Sequence, residues 1–339
     1  MKLRIAFIGC LLAFSQAAMA VTIKIATLAP EGTNWMKEMR AAGVEIKQKT
    51  EGRVEIKYFP GGVMGNDSAV LRKIKLGQLQ GGALSGAELS AVYPDAQIYS
   101  VPFLFRDLAE VEFVRKQVDP LLRQGFEKAG FFAVGLSGGG FANIMSVKSV
   151  VAKEDLRASK VWVPQNDRIA QAAFTEAGVN PIALPLADVY TSLQTGLLET
   201  VANTTSGAIA FQWHTRIKHV VDLPLTYVMG IMVIDQRTFN KLEATDQTVV
   251  RDAIGRAFIN LDAVNKRDNE SARSVLIKQG VKFDAPSAVE TDYWRGVGAR
   301  TLKTLQADGA VSELLLAAIF KAQAEYRASI SGAAGARAQ

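Results

Sequence analysis

Residues 21–59 read VTIKIATLAPEGTNWMKEMRAAGVEIKQKTEGRVEIKYF, and the apolar period in them changes twice. Val21, Ile23 and Ile25 alternate with Thr22 and Lys24, the pattern of a half-buried strand. Trp35, Met39, Gly43 and Ile46 then share one face of a helix that Glu51-Gly52 ends, and Val54, Ile56 and Tyr58 alternate again. Asn66 or Asp67 caps a further helix that turns Val70, Leu71 and Ile74 inward and stops at Gly77. Strand, helix, strand, helix in that order predicts an α/β sheet with parallel neighbours.

Outward from this unit, Phe131 to Leu136 is a largely apolar run that reads as a buried strand. Gly138-Gly139-Gly140 breaks the pattern, Phe141 to Val147 resumes it, and the break is a place for the chain to cross between domains. Lys160 to Val163 and Ile182 to Leu184 read as strands, Arg168 to Ala177 and Asp188 to Leu197 as helices. Leu223 to Ile234 is apolar enough to return the chain to the first sheet. From Asp246 to Gln279 there is no proline, and Val249, Val250, Ile254, Phe258, Leu261 and Val264 keep a helical period. An unbroken helix there would be roughly 50 Å long and would brace two lobes; two helices joined at a kink fit the pattern equally well.

At 339 residues the chain is long enough for two domains with separate cores. Residues 1–20 have the order of a secretory signal: Lys2 and Arg4, an apolar core from Ile5 to Phe14, and Ala18-Met19-Ala20 before an expected cut after Ala20. Cys10, the one cysteine, lies inside that core, so the mature protein has neither a disulfide nor a thiolate nucleophile. The net charge of +6 falls by two to +4 when Lys2 and Arg4 leave. The basic residues are scattered, which argues against nucleic acid.

Gly135-Leu-Ser137-Gly-Gly139 matches the G-x-S-x-G elbow of exported serine hydrolases, with Ser137 as nucleophile, but a strand follows where that motif needs a helix. His214 and His219 are five residues apart, off a common helical face, and no carboxylate completes a metal site with them. Trp162 and Trp213 are large aromatics with polar neighbours, suited to core packing or to a ligand cleft. Gln165-Asn166-Asp167-Arg168 places hydrogen-bonding groups where a strand gives way to a helix, a position at which open α/β sheets bind ligands.

Four stretches carry a resemblance to a known family: Gly52-Arg-Val-Glu-Ile56 leading to Phe59-Pro-Gly-Gly-Val-Met-Gly65; Val101-Pro-Phe-Leu-Phe-Arg-Asp107; Asp155-Leu-Arg-Ala-Ser-Lys160-Val-Trp-Val-Pro164; and Leu184-Pro-Leu-Ala-Asp-Val-Tyr-Thr-Ser-Leu-Gln-Thr-Gly196. In this order they resemble the DctP-type periplasmic solute-binding proteins of tripartite ATP-independent (TRAP) transporters. The resemblance implies a two-lobed periplasmic-binding-protein-like α/β fold, with mixed sheets flanked by helices and a long interdomain helix. It implies lobe I at 21–140 plus about 228–265 and lobe II at 141–227 plus about 266–300. C-terminal helices at 301–330 and a disordered tail from Ser331 complete the expectation. The function implied is ligand capture in the periplasm by a monomer that serves TRAP-type membrane subunits, with no chemistry, cofactor or metal.

The same resemblance marks a departure. The third stretch normally carries an arginine that clamps the ligand carboxylate through two parallel hydrogen bonds, and here that position is Trp162. A second cationic position falls on Ala142, while the family's asparagine is kept as Asn203. Tryptophan has one N–H and a broad apolar face. The expected ligand is therefore a hydrophobic organic acid resting on Trp162, or one whose carboxylate meets Arg168, Arg216 or Lys218. The expected ligand-binding set is Trp162, Asn203, Trp213, Arg168, Asn166 and Ala142.

Overall fold

The computed structural model describes residues 20–337, with side-chain surroundings through Ser331. The expected cleavage after Ala20 concerns a leader that lies outside the described residues. Among the described residues ten strands follow one another: β1 (Val21–Thr27), β2 (Val54–Phe59), β3 (Gly81–Ser85), β4 (Phe131–Ser146), β5 (Trp162–Pro164), β6 (Ile182–Leu184), β7 (Thr200–Asn203), β8 (His219–Val221), β9 (Thr226–Asp235) and β10 (Lys282–Asp284). As the strand–helix–strand–helix order predicts, β1 has parallel neighbours, β2 on one side and β3 on the other. β3 then pairs antiparallel with β9, and β9 antiparallel with β4. Helices Asn34–Lys49 and Leu108–Lys128 cover the two faces, and Thr33 and Asp107 cap their first turns with side-chain oxygens.

The triple glycine does not break the chain into two strands. β4 runs unbroken for 16 residues and bends at register shifts between Ala133 and Gly135 and between Gly138 and Gly140. The glycines serve close approach. A Cβ on Gly135 would lie 2.3 Å from the ring of Phe258, and one on Gly138 would lie 1.6 Å from the Tyr227 hydroxyl. Gly140 sits at φ +104°, in the region that favours glycine. Up to Ala142 the strand pairs with β9; from Asn143 to Ser146 it pairs with β7, and its last two residues also pair with β8. One strand thus belongs to two groups of strands, and β10 extends the second group beyond β8.

Helix Ala244–Lys278 is one helix of 35 residues, which settles the choice between a single brace and two kinked helices. Its first part places Val250, Ile254, Phe258 and Leu261 in a core with Ile23, Met39 and Ile46. Its last turns place Leu276 in a second core with Met145, Trp162 and Trp213. The helix therefore ties the two halves together by burying apolar side chains in both. Helix Ala288–Ala307 packs Trp294 and Val297 into the second half. The last helix, Glu313–Arg337, returns to the first, where Arg327 meets the buried Glu110 at 2.8 Å and Gln323 donates to the carbonyl of Leu104 at 2.6 Å. This helix continues through Ser331 to Arg337, where the composition of small residues was expected to leave a disordered tail.

Candidate functional site: a two-chambered cleft

The halves face each other across a cleft with two contiguous chambers of about 580 and 250 Å³. Leu186, Asn203, Phe211, Val228 and Met229 border both. The smaller, inner chamber is walled by Phe103, Trp162, Phe174, Phe211 and Trp294. Phe103 holds a left-handed backbone at φ +56°, a conformation that costs a bulky residue energy and is tolerated where a side chain must be aimed. The outer chamber mixes Leu28, Trp35 and Ile209 with the hydroxyls of Thr27, Ser85 and Ser271.

No lysine, arginine or histidine lines either chamber among the described residues; the charged groups at the walls are Asp67, Asp167 and Asp268. Asp167 caps helix Arg168–Glu176, accepting the Ala170 N–H at 2.9 Å. Burial pushes its carboxyl up to about 6 against the pull of the backbone N–H groups of Ala170 and Ile169. Burial likewise raises Asp67 to about 6, opposed by donation from Ser85. These elevations are what burial produces where no cation compensates.

The six expected residues separate into three places. Trp162, Ala142 and Asn203 line the inner chamber. Trp162 is 4% exposed and gives its indole N–H to the carbonyl of Leu184 at 2.9 Å, so its ring is wall and its donor is spent on β6. Ala142 contributes a small wall where β4 changes partners. Asn203 ends β7; its Oδ1 accepts the Thr204 N–H at 2.8 Å, and its Nδ2 meets no acceptor among the described residues. Trp213 lines neither chamber. It is fully buried behind Trp162, ring centroids 5.5 Å apart at 80°. Asn166, at φ +71°, borders a surface hollow outside both chambers and reaches from there to Glu88 Oε2 at 3.1 Å and Ser68 Oγ at 3.4 Å. Arg168 borders a separate surface hollow with Gln171, Glu176 and Thr304, and Arg216 and Lys218 are exposed and line neither chamber. The substitute cation expected at one of these three is therefore not at the cleft.

The aromatic residues Phe103, Phe174, Phe211 and Trp294 were missed by sequence reasoning. Phe103 had a signal, since it follows Pro102 in one of the four family stretches. The others lie on helices or turns whose apolar period reads equally as core.

The hydrolase alternative finds no support in the surroundings of Ser137, which borders the outer chamber. The residue is 1% exposed and sits within β4, not at a strand-to-helix elbow. Its hydroxyl donates to Asp262 at 3.0 Å and faces Asn265 Nδ2 at 3.3 Å, with no histidine among these partners. The cluster stitches the bent strand to the long helix. Asp262 accepts the Gly138 N–H at 2.7 Å, Asn265 donates to the Gly138 carbonyl at 2.9 Å, and Asn269 donates to the Gly139 carbonyl at 2.7 Å. Asn269 Oδ1 also accepts from the Ser206 hydroxyl at 2.7 Å, which links the bend to the cleft wall.

Two α/β halves that share a strand and a helix around an apolar cleft have the architecture of a solute-binding receptor. The chain belongs to the bacterial extracellular solute-binding proteins of family 7, the DctP family, whose model matches residues 25–308. It is a binding protein and not an enzyme. Among relatives, it is 27% identical to the uncharacterized protein YiiZ of Salmonella typhimurium, over 70% of this chain and 73% of that one. It is 22% identical to the C4-dicarboxylate-binding periplasmic protein DctP of Rhodobacter capsulatus, over 75% and 77%. Two solved structures share the fold at low identity. The sugar acid binding protein DctPAm of Advenella mimigardefordensis, in complex with galactonate, matches with a TM-score of 0.84 at 18% identity, covering 91% of this chain and 99% of that one. A TRAP periplasmic solute binding protein of Desulfovibrio salexigens with bound orotic acid matches with a TM-score of 0.83 at 22% identity, covering 90% and 99%.

Proposed function

We propose that this protein is the periplasmic receptor of a TRAP-type transporter and holds a small organic ligand mainly by that ligand's apolar or aromatic body. The observation that carries the reading is the cleft itself: aromatic walls, a free Asn203 Nδ2 and no cation at either chamber. Organic acids are bound by the galactonate and orotate receptors named above. An acid in this cleft would have hydrogen-bond donors but no charge clamp, so most of its affinity would come from removing apolar surface from water. The halves, about 21–140 with 228–265 and 141–227 with 266–300, close as two bodies about β4, β9 and the long helix, and ligand biases that equilibrium by touching both. One chain supplies both walls, which supports action as a monomer. The membrane subunits of a TRAP system are the partners the family likeness supports. A periplasmic location is supported by the family and by the leader-like residues 1–20; no described helix is long and apolar enough to cross a membrane.

The test is titration of the mature protein with a phenyl-bearing acid, its uncharged amide, succinate and glucuronate, read by calorimetry and thermal shift. The acid and the amide should bind with affinities within a few-fold of each other, and succinate and glucuronate weakly or not at all. Tighter binding of succinate or glucuronate than of the phenyl compounds would refute the proposal.

A further inference from the structure

We infer that the ligand is an elongated amphiphile, with an apolar ring or chain in the inner chamber and an uncharged polar portion that passes Asn203 into the outer chamber. The inference rests on the receptor reading above and specifies its ligand class. The inner chamber alone, about 250 Å³, falls below the roughly 300–1,000 Å³ of ordinary small-molecule sites, and the two chambers together fall within that range. Their walls offer different side chains. The inner one presents five aromatic side chains, and its polar side chains Asp167 and Thr226 are engaged with the Ala170 N–H and the Ser100 carbonyl, so a ring or chain fits it better than a polar group. The outer one presents the hydroxyls of Thr27, Ser85 and Ser271 and the amide of Asn265 beside apolar side chains. Asn203 stands where the chambers meet with an unused N–H donor, suited to an ether, hydroxyl or carbonyl oxygen part-way along the molecule.

The experiment is a series of phenylalkanols, from benzyl alcohol to phenylhexanol, titrated into the full receptor. Affinity should rise about fourfold per methylene over several members and then level off. Ala210→Phe narrows the outer chamber at a residue that does not touch the inner one; Val275→Trp does the same from the surface of the long helix and guards against a folding failure of the first variant. Either should leave benzyl alcohol unchanged and cost the long members at least tenfold. Ala142→Leu, which fills the inner chamber, should weaken every member. A series that binds but stays flat with length, or one whose long members ignore both outer-chamber variants, overturns the elongated-ligand inference alone. If no member binds while glucuronate does, the receptor reading of the cleft fails with it.

Discussion

The indole rings of Trp162 and Trp213 meet edge to face, centroids 5.5 Å apart, with Trp162 facing the inner chamber and Trp213 fully buried behind it. Where family likeness leads one to expect a cation, the second half has an aromatic pair that is part wall and part core.

Trp162→Ala should therefore lower both stability and affinity. Removing the ring leaves a cavity against Trp213 and strips the Leu184 carbonyl of its donor, at about 3–5 kcal/mol for the truncation. Trp162→Phe should recover much of the stability, having lost the N–H and the pyrrole half of the indole but kept a six-membered aromatic ring. Trp162→Arg should bind carboxylates that the native protein binds weakly. Thermal unfolding with calorimetry on the three variants checks this, and equal affinity in Trp162→Ala and the parent would remove Trp162 from the site.

Asn166 links the second half to the first through Glu88 and Ser68, outside both chambers. Substitution by glycine keeps the left-handed backbone at φ +71° and deletes the short side chain with its amide. A hydrogen bond to a charged group contributes about 1.5–3 kcal/mol when sheltered and less at a wet rim. Asn166→Gly should then raise the ligand Kd about three- to tenfold with little change in the melting temperature of the free protein. Small-angle scattering should show the ligand-free variant shifted toward an open shape.

Asp167, raised to about 6 by burial, makes a pH prediction with a definite sign. Between its ordinary value of 3.8 and about 6 the folded protein holds a proton that the unfolded chain releases, so this residue's contribution to stability falls as pH rises through that window. Asparagine caps a helix as well as aspartate and carries no charge. Asp167→Asn should melt higher than the parent at pH 7.5, by at most about 3 kcal/mol, with the gap closing toward pH 4. A gap that widens on acidification would show that the carboxylate is stabilised as an anion.

Ser137 should be inert toward a fluorophosphonate probe, in the native protein as in Ser137→Ala. The substitution should cost about 1 kcal/mol through the lost hydrogen bond to Asp262. Asn269→Ala should cost more, because Asn269 joins the Gly139 carbonyl to Ser206 at the cleft wall. Denaturant melts of the two variants give the ordering.

Much of the fold could be read from period and turn chemistry. The alternation of Val21, Ile23 and Ile25 reappears as the strand expected, while the cap falls on Asn66 of the two candidates and the proline-free run after Asp246 forms the single helix of its two alternatives. The triple glycine misled because glycine marks both a chain break and a strand pressed against side chains, and the choice between them depends on Tyr227 against Gly138 and Asn269 against Gly140, more than 80 residues away. The candidate site was legible only in part for a similar reason. Trp162, Ala142 and Asn203 come from strands whose register places them at the cleft. Arg168, one residue past the cap, points to a different hollow, a difference of rotation about a helix that spacing alone does not encode. Trp294 reaches the inner chamber from a helix far along the chain, a meeting that no local pattern announces.

The absence of cations at the chamber walls also bears on the time course of capture. A basic cleft draws anions in from beyond contact distance and gains speed that salt then removes. Here the walls offer carboxylates at Asp67, Asp167 and Asp268, so a neutral solute would arrive by unaided diffusion and at the same rate in dilute and salty media. Discrimination then falls to residence: molecules that fit leave slowly because water must refill two chambers behind them, and those that do not fit leave at once.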